Sequence, residues 1–279
     1  MSRGKRITSV KEWTWVFGEG VPIAYGHHLN KSDFFVQSLS QSKPFFYFLK
    51  DNQLDYITPN HNFGPGNRSL YEKNFNPKQT FGDIWVPPPF KEHYGKLSPI
   101  KSEKPILVIN NKYNPEWSVQ RPFNFLPIEF LLSFFQKFSE KYQIYYIRYN
   151  GGKQLDSDEG YYDDVPAYTD EPYDDYEILK QFPNIITIYD FMEKYEKGFN
   201  ESQLLMMSKA KHILAVNGGN AVLSAYFGDD VMIYGHPTAG SAVRGVWMTD
   251  SWLKELSGAN IIGHLHWGKM MNDCEKRWL

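Results

Sequence analysis

Two adjacent glycines near residue 218 form the clearest chemical motif of this 279-residue chain. The apolar run His212–Val216 before them predicts a buried strand, and the residues after them have the composition of a helix. Glycine lets the backbone approach a ligand closely, and a helix that begins there presents unpaired N–H groups to an anion. We therefore predict a phosphate-binding turn, although an unliganded strand–helix turn has the same pattern. Its residues are Asn217, Gly218, Gly219 and Asn220.

Polar residues also follow three other predicted strands. Because the carboxyl ends of parallel strands meet at one edge of a sheet, we expect these residues beside the glycine turn. Lys112 and Arg148 would contact a pyrophosphate, although a surface charge is the simpler interpretation of either residue alone. Tyr189 and Asp190 would meet a nucleobase or a ribose. The residues predicted to bind such a ligand are Asn110, Lys112, Arg148, Tyr189, Asp190 and the glycine turn.

Three histidines are candidates for a general base, because imidazole titrates near neutral pH. His27 and His28 follow the first predicted strand, and His61 lies in a polar loop with glycine and proline. For each histidine taken singly, a structural or exposed role is the simpler interpretation. His264 and His266 have the spacing of a metal-binding pair, but no third ligand is evident, so we predict no metal site.

Residues 151–180 form an acidic segment with ten Asp or Glu residues and two Lys residues. Asp156 and Asp158 have a spacing that suits Mg²⁺ or Mn²⁺, but no tight apolar strand precedes them to fix both carboxylates. We interpret the segment as a solvated loop, whose tyrosines and prolines suit a flap or a surface for a polyhydroxylated ligand.

The composition excludes several classes of protein. The net charge of −2 provides no basic field for nucleic acid, and the single cysteine, Cys274, excludes an internal disulfide and a Cys-based zinc site. No membrane-spanning segment and no signal peptide is recognisable. The glycine turn matches neither GxGxxG nor a Walker A loop, so a dinucleotide cofactor or a P-loop NTPase is not indicated. We expect a cytoplasmic protein without a nucleic-acid partner.

The elements that must position these residues alternate along the C-terminal part of the chain. Strands alternating with helices predict βαβ units, an open, mostly parallel sheet and an α/β class. The predicted strands are 105–109, 143–149, 184–189, 212–216 and 231–234, and the predicted helices are 127–142, 201–210 (with a cap at Asn200 and a capping box through Gln203) and 221–227, with Gly228 at its C′ position.

A proline-rich stretch near residues 87–104 indicates a domain boundary. We predict an N-terminal domain at 1–99, a C-terminal domain at 100–262 and a tail at 263–279. In the N-terminal part, the pattern suggests strands at 13–17 and 56–57 and a helix at 31–39.

Residues 105 to about 237 resemble the nucleotide-sugar-binding domain of GT-B glycosyltransferases. The likeness rests on Ile-Asn-Asn-Lys at 109–112, Ile-Thr-Ile-Tyr-Asp at 186–190 and the glycine turn. The Tyr-, Asn- and Lys-rich composition is also similar to that of glycosyltransferases of large algal DNA viruses, especially β-xylosyltransferases that act on a capsid-protein glycan. The short N-terminal domain and the lack of an acidic residue at the usual ribose-binding position depart from the GT-B pattern.

The resemblance implies two Rossmann-like domains facing a cleft, of which the N-terminal one is small. It implies that the domain at 1–99 is on the acceptor side, that the domain at 100–262 binds the nucleotide sugar, and that the residues predicted to bind a pyrophosphate and a nucleoside are the donor-binding residues. It implies transfer of a sugar, xylose in the viral case, from a UDP-linked donor to a glycan hydroxyl, with inversion and without a metal or other cofactor. Glu19, His27 and His28 fall where the base of inverting members follows the first strand. The viral likeness would place the protein in the cytoplasm of an infected host cell.

Two alternatives remain open from the sequence. A non-catalytic carbohydrate-binding or assembly protein could have the same fold, because fold does not determine function. A methyltransferase of the α/β class fits less well, since no glycine-rich loop follows a first strand with an acidic residue after the second.

Overall fold

A computed structural model of the chain describes residues 5–8, 16–31, 34–38, 40–56, 87–113, 124–149, 174–236, 254 and 257–279. The chain divides into two compact units, residues 1–88 and residues 89–279. Each unit contains a parallel sheet with connecting helices, so the predicted α/β class is confirmed. Within the described ranges, no helix combines the length and the apolar character needed to cross a membrane.

The first unit is built on a three-stranded parallel sheet with the order β1-β2-β3. Its helix α1 connects two parallel neighbours, which makes β1–α1–β2 a βαβ unit. Val21 and Ala24 of α1 and Val36 of β2 are buried and contribute to its core. The elements are β1 (Lys5–Thr8), α1 (Val16–Leu29), β2 (Phe34–Ser38), 3₁₀ turns at Ser40–Phe46 and Asp51–Gln53, and β3 (Leu54–Tyr56).

The second unit contains a six-stranded, all-parallel sheet with the order β6-β5-β4-β7-β8-β9. The order is that of a doubly wound sheet, in which the chain builds one half outward from a central strand and then the other half. Its strands are β4 (Ile106–Asn110), β5 (Gln143–Ile147), β6 (Ile186–Thr187), β7 (Ala210–Val216), β8 (Asp230–Tyr234) and β9 (Asn260–His264). Its helices are α2 (Phe90–Leu97), α3 (Ile128–Phe138), α4 (Asp175–Leu179), α5 (Ile188–Tyr195), α6 (Phe199–Met207), α7 (Gly219–Ser224) and α8 (Trp267–Trp278).

The central strands are continuous apolar runs because both faces of the sheet are covered. All five residues of β4 are buried. Leu107 and Ile109 share one core with Phe134 and Phe138 of α3, whose rings stack with centroids 4.1 Å apart. This core holds the amino and carboxyl ends of the strands in fixed register.

The last helix, α8, packs on the same face of the sheet. Met270, Cys274 and Trp278 are buried in the core that α3 also covers. The Tyr142 hydroxyl donates a hydrogen bond of 2.6 Å to the Trp278 carbonyl, which ties the end of α8 to the segment between α3 and β5. Residues 263–279, which the sequence analysis sets apart as a tail, therefore complete β9 and cover the sheet.

The predicted strand 184–189 is too long at both ends, because only Ile186 and Thr187 pair with β5 and α5 begins at Ile188. Thr187 is instead the N-cap of α5. Its side chain accepts a hydrogen bond from the Asp190 N–H, and the Asp190 carboxylate accepts one from the Thr187 N–H. This capping box stabilises a helix start more than the β-propensity of Ile-Thr-Ile-Tyr favours a strand.

The two helices that flank β7 also differ from prediction. Helix α6 begins after Gly198, so Asn200 is inside it and accepts a hydrogen bond from the Gln203 side chain rather than capping the helix. Helix α7 ends at Ser224, before the predicted end. Gly228 has no positive φ, and it is needed for space instead: a Cβ there would lie 2.6 Å from Val231 Cγ2.

In the first unit, two of the three predicted elements are wrong. Val16 and Phe17, predicted in a strand, begin α1. Residues 34–38, predicted in a helix, form β2, because pairing with β1 and β3 outweighs the local pattern. The strand predicted at 56–57 coincides with the end of β3 at Tyr56, and residue 57 lies outside the described residues.

Candidate functional site

The strand order of the second unit places a topological switch point between β4 and β7. The chain runs from β4 outward to β5 and β6, and then returns to β7 on the other side of β4. At such a point, the connections leave the carboxyl edge in opposite directions, and α/β proteins bind ligands in the crevice between them. Asn110 ends β4 and is buried, Asn217 follows β7 and is buried, and Lys112 is half-buried. The structure therefore brings these three predicted residues to one edge.

The backbone at Gly218 adopts a conformation that favours glycine. Its φ of 143° and ψ of −165° lie in a region that a side chain would make strained. The first hydrogen bonds of α7 run from the Ala221 and Val222 N–H groups to the Gly218 carbonyl. The N–H groups of Gly218, Gly219 and Asn220 precede these donors in the chain and do not take part in these two hydrogen bonds. Because α7 has only six residues, any ligand here would depend on individual amides rather than on a helix dipole.

Asn124 connects the two strands that border this turn. Its side-chain Nδ2 donates a hydrogen bond of 2.9 Å to the Asn217 carbonyl, and its Oδ1 accepts one of 3.0 Å from the His236 N–H. Asn124 is buried, with 5% of its surface exposed. The carboxamide therefore fixes the exits of β7 and β8 relative to each other.

A buried polar network occupies the neighbouring exits of β4 and β5. Arg148 lies just after β5, forms an ion pair with Asp175 and donates a 2.7 Å hydrogen bond from Nε to the same carboxylate. Tyr146 also donates a hydrogen bond to Asp175, and Asn111 donates one of 3.0 Å to the Tyr146 hydroxyl. Asn111 Oδ1 accepts a hydrogen bond from the Leu126 N–H, so the network extends to the segment before α3.

The guanidinium of Arg148 is enclosed by aromatic rings. Its carbon lies 4.4 Å from the centroid of Tyr176 and 5.1 Å from that of Tyr113. Burial raises the pKa values of both tyrosines, so their hydroxyls stay protonated. Burial opposes the charged form of Arg148, but the charge of the Asp175 carboxylate and its hydrogen bond outweigh this penalty, and the pKa of Arg148 is raised.

Arg148 therefore has a structural environment that the sequence did not indicate. The simpler interpretation of Arg148 as a surface charge is wrong, because Arg148 is only 1% exposed and its charge is compensated by Asp175. The contact of Arg148 with a diphosphate stays a prediction, as does that of Lys112.

Tyr189 and Asp190 lie in the first turn of α5 rather than at the end of a strand. Tyr189 is buried, and its ring lies 6.4 Å from that of Tyr176 and 6.5 Å from that of Phe199. Asp190 is exposed, and its carboxylate accepts hydrogen bonds from the Thr187 N–H and hydroxyl. Both residues have local structural roles, and their contact with a base or ribose stays a prediction.

The candidate bases of the first unit lie at different ends of α1. A helix that connects parallel strands runs antiparallel to them, so its first turn lies near the carboxyl edge and its last turn near the amino edge. Glu19 is in the first turn, whereas His27 and His28 are in the last turn, and the His28 ring packs on Phe48 at 5.5 Å. The expectation that His27 and His28 follow a strand is therefore wrong. His61 lies outside the described residues.

No three His, Cys, Asp or Glu side chains cluster as metal ligands within the ranges that the structure describes. Asp156 and Asp158 lie outside those ranges. The expectation of a metal-independent reaction stays a prediction.

No family model matches this chain, and no curated protein matches it either. Two solved structures resemble it. E. coli heptosyltransferase WaaC with ADP-2-deoxy-2-fluoro heptose matches with a TM-score of 0.34 and 12% identity, over 84% of this chain and 62% of that chain. E. coli ADP-heptose LPS heptosyltransferase II matches with a TM-score of 0.37 and 10% identity, over 92% of this chain and 80% of that chain. The chain thus spans less than two thirds of the length of WaaC.

The sequence analysis gave no role to Asn124 or Asp175, and it noted Asn111 only as part of the Asn-Asn-Lys run after the first strand. Asn124 meets its partners 93 and 112 residues away, and no local pattern reports such contacts. Asp175 was one of ten acidic residues in its segment, and nothing in its neighbours distinguishes it. The Asn110-Asn111 doublet at the end of an apolar run was the one usable signal.

Proposed function

We propose that the protein is a glycosyltransferase that uses a nucleoside diphosphate sugar. The observation that carries the proposal is the glycine-only conformation of Gly218 at the switch point of a doubly wound sheet, beside Asn110, Lys112 and Asn217. Because glycine has no side chain, the backbone at this position is suited to close contact with a bulky anion. The two α/β units and the absence of a dinucleotide or P-loop motif favour this class over other nucleotide-binding enzymes.

In this proposal the second unit binds the donor. The diphosphate lies against the Gly218–Asn220 turn, where Lys112 compensates part of its charge. As the sugar leaves, negative charge grows on the phosphate oxygen, and donors already fixed at this edge stabilise it most. The finer expectations are a UDP-linked donor and xylose as the sugar, and both come from the sequence resemblance.

The reaction is the attack of an acceptor hydroxyl on the anomeric carbon. The new C–O bond forms as the bond between the anomeric carbon and the diphosphate breaks, and a base takes the hydroxyl proton. Among the candidates, we favour Glu19, because the first turn of α1 lies at the carboxyl edge of its own sheet. Inversion at the anomeric carbon and activity in the presence of a chelator are the corresponding expectations.

The test is a calorimetric titration of the wild type with UDP, GDP and ADP, repeated with Gly218→Ala. Wild type is expected to bind one of them, and Gly218→Ala is expected to bind it at least tenfold more weakly, because the alanine cannot keep a φ of 143°. Gly228→Ala is the matched control. It crowds Val231 away from the carboxyl edge and should cost about 1–3 kcal/mol of stability while affinity is retained.

The titration also separates the alternative function. Absence of nucleotide binding to the wild type, together with a rise in melting temperature on addition of free glycans, would favour a non-catalytic carbohydrate-binding protein. A donor hydrolysis assay over a panel of sugar nucleotides then identifies the sugar and the nucleobase of the donor.

A further inference from the structure

Asn124 occupies the place of a backbone hydrogen bond between β7 and β8. The last paired residues of these strands are Val216 and Tyr234. The ladder continues for one bond, 2.7 Å long, from the Asn217 N–H to the Tyr234 carbonyl. In a parallel ladder, the next bond would run from the His236 N–H to the Asn217 carbonyl. Both groups bond to the carboxamide of Asn124 instead.

The inserted carboxamide bridges the two strands and pairs both the Asn217 carbonyl and the His236 N–H. Each of its two ends replaces one half of the missing bond, with the donor facing a carbonyl and the acceptor facing an N–H. Since buried backbone groups must be paired, the strands can part at this point only because Asn124 is there. The separation begins one residue before Gly218.

This geometry also fixes the orientation of the Gly218 amide. The Asn217 carbonyl and the Gly218 N–H belong to one planar trans peptide, so the two groups point in opposite directions. When Asn124 holds the Asn217 carbonyl, it therefore holds the Gly218 N–H pointing away from β8. At a glycine, this constraint matters because the backbone has several accessible conformations.

We propose that Asn124 is a positioning residue that orients the Gly218 amide toward the diphosphate of the donor. This inference rests on the proposed function. Asn124 itself acts through the Asn217–Gly218 peptide and is not a catalytic residue.

Asn111 provides a matched comparison. It is also a buried carboxamide at the carboxyl edge, and its Oδ1 accepts a 2.9 Å hydrogen bond from the Leu126 N–H while its Nδ2 donates to Tyr146. Asn111 therefore holds the same chain segment that contains Asn124, but none of these hydrogen bonds involves the peptide before Gly218. A change from amide to carboxylate adds the same charge and removes the same donor at both positions.

The experiment compares Asn124→Asp with Asn111→Asp. Calorimetry with UDP, GDP and ADP measures the affinity of each folded variant, and amide NMR of the ligand-free proteins records the Gly218 and His236 signals. We expect Asn124→Asp to weaken binding of the nucleotide that the wild type prefers by about tenfold or more, and to move the Gly218 signal. Asn111→Asp should retain affinity within about threefold and leave the Gly218 signal in place.

The outcomes distinguish failure of the proposed function from failure of the proposed role of Asn124. If wild type binds no nucleotide, the proposed function fails and the role of Asn124 fails with it. If wild type binds and Asn124→Asp binds equally well, the role of Asn124 is overturned while the proposed function stands. Equal losses in both variants would also overturn it, because added charge alone would explain them. Should Asn124→Asp fail to fold, Asn124→Ala and Asn111→Ala make the same comparison without a buried charge.

Discussion

The two edges of the six-stranded sheet use polar residues in different ways. At the carboxyl edge, Asn111, Asn124 and Asp175 hold backbone segments and a buried cation around a glycine turn. At the amino edge, polar groups are combined with aromatic rings that dock the last helix. The Trp278 ring stacks on His212 with centroids 4.8 Å apart, and its Nε1 donates a 2.6 Å hydrogen bond to Asp230.

The difference teaches where this fold can accommodate a ligand. At the amino edge, Trp278 and Tyr142 contact His212 from two directions, so the space beside the strand starts is filled by side chains. At the carboxyl edge, the strands are separated by a carboxamide, and a residue without a side chain follows. Changes at the amino edge should therefore alter stability alone, whereas changes at Gly218 and Asn124 of the carboxyl edge should alter nucleotide binding.

The largest effect on stability is expected for Asp175→Asn. The substitution leaves the Arg148 guanidinium buried without its counter-charge, which costs about 3–5 kcal/mol of unfolding free energy. Urea denaturation measures the loss. A double variant, Arg148→Gln with Asp175→Asn, should regain part of it because no uncompensated charge remains. A loss below about 1 kcal/mol in the single variant would show that the pair is not buried in solution.

A smaller, pH-dependent effect is expected at the amino edge. Burial lowers the pKa of His212 to about 4, a shift that Asp230 and Asp229 oppose and that Lys211 and Lys141 reinforce. The unfolded chain takes up this proton near pH 6.5, so stability is complete above that pH and falls as the pH decreases toward 4. The loss contributed by His212 is about 3 kcal/mol.

The variant His212→Phe tests this contribution. It keeps an aromatic ring against Trp278 and removes the titrating group, and no hydrogen bond is lost at Nδ1 because none is formed there. Urea unfolding at several pH values from 7.5 to 4 should show a shallower decline for the variant than for wild type. Parallel declines would mean that His212 is charged in the folded protein. Nucleotide affinity at pH 7.5 should be equal in both, since the change lies at the amino edge.

Much of the second unit was predictable from sequence, since buried parallel strands are continuous apolar runs. The runs at 105–109, 212–216 and 231–234 correspond to β4, β7 and β8 within one or two residues. The run at 184–189 misled because Thr187 and Asp190 form a capping box, a local signal that was present but overlooked. In the first unit, β2 depends on its pairing with β1 and β3, which no local pattern reports.

The candidate site was predictable only where the backbone itself is unusual. The Gly218-Gly219 pair identified the turn because few other residues tolerate such a conformation. The partners that organise the edge are distant in sequence: Asp175 is 27 residues from Arg148, and Asn124 is 93 residues from Asn217. Their roles depend on contacts that form only when the chain has folded. A short stretch of sequence around either residue does not predict such contacts.

The smallest effect is expected for Glu275→Gln, which replaces a carboxylate by an amide as Asp175→Asn does, but in a solvated ion pair. Glu275 of α8 forms an ion pair with Lys137 of α3, and their side chains are 34% and 43% exposed. Because water already solvates both charges, Glu275→Gln should cost less than about 1 kcal/mol, and the cost should shrink further at high salt. Denaturation at low and high salt measures both. If Glu275→Gln lost as much unfolding free energy as Asp175→Asn, burial would not determine the contribution of these ion pairs to stability. The difference between the two edges would then rest on their aromatic contacts.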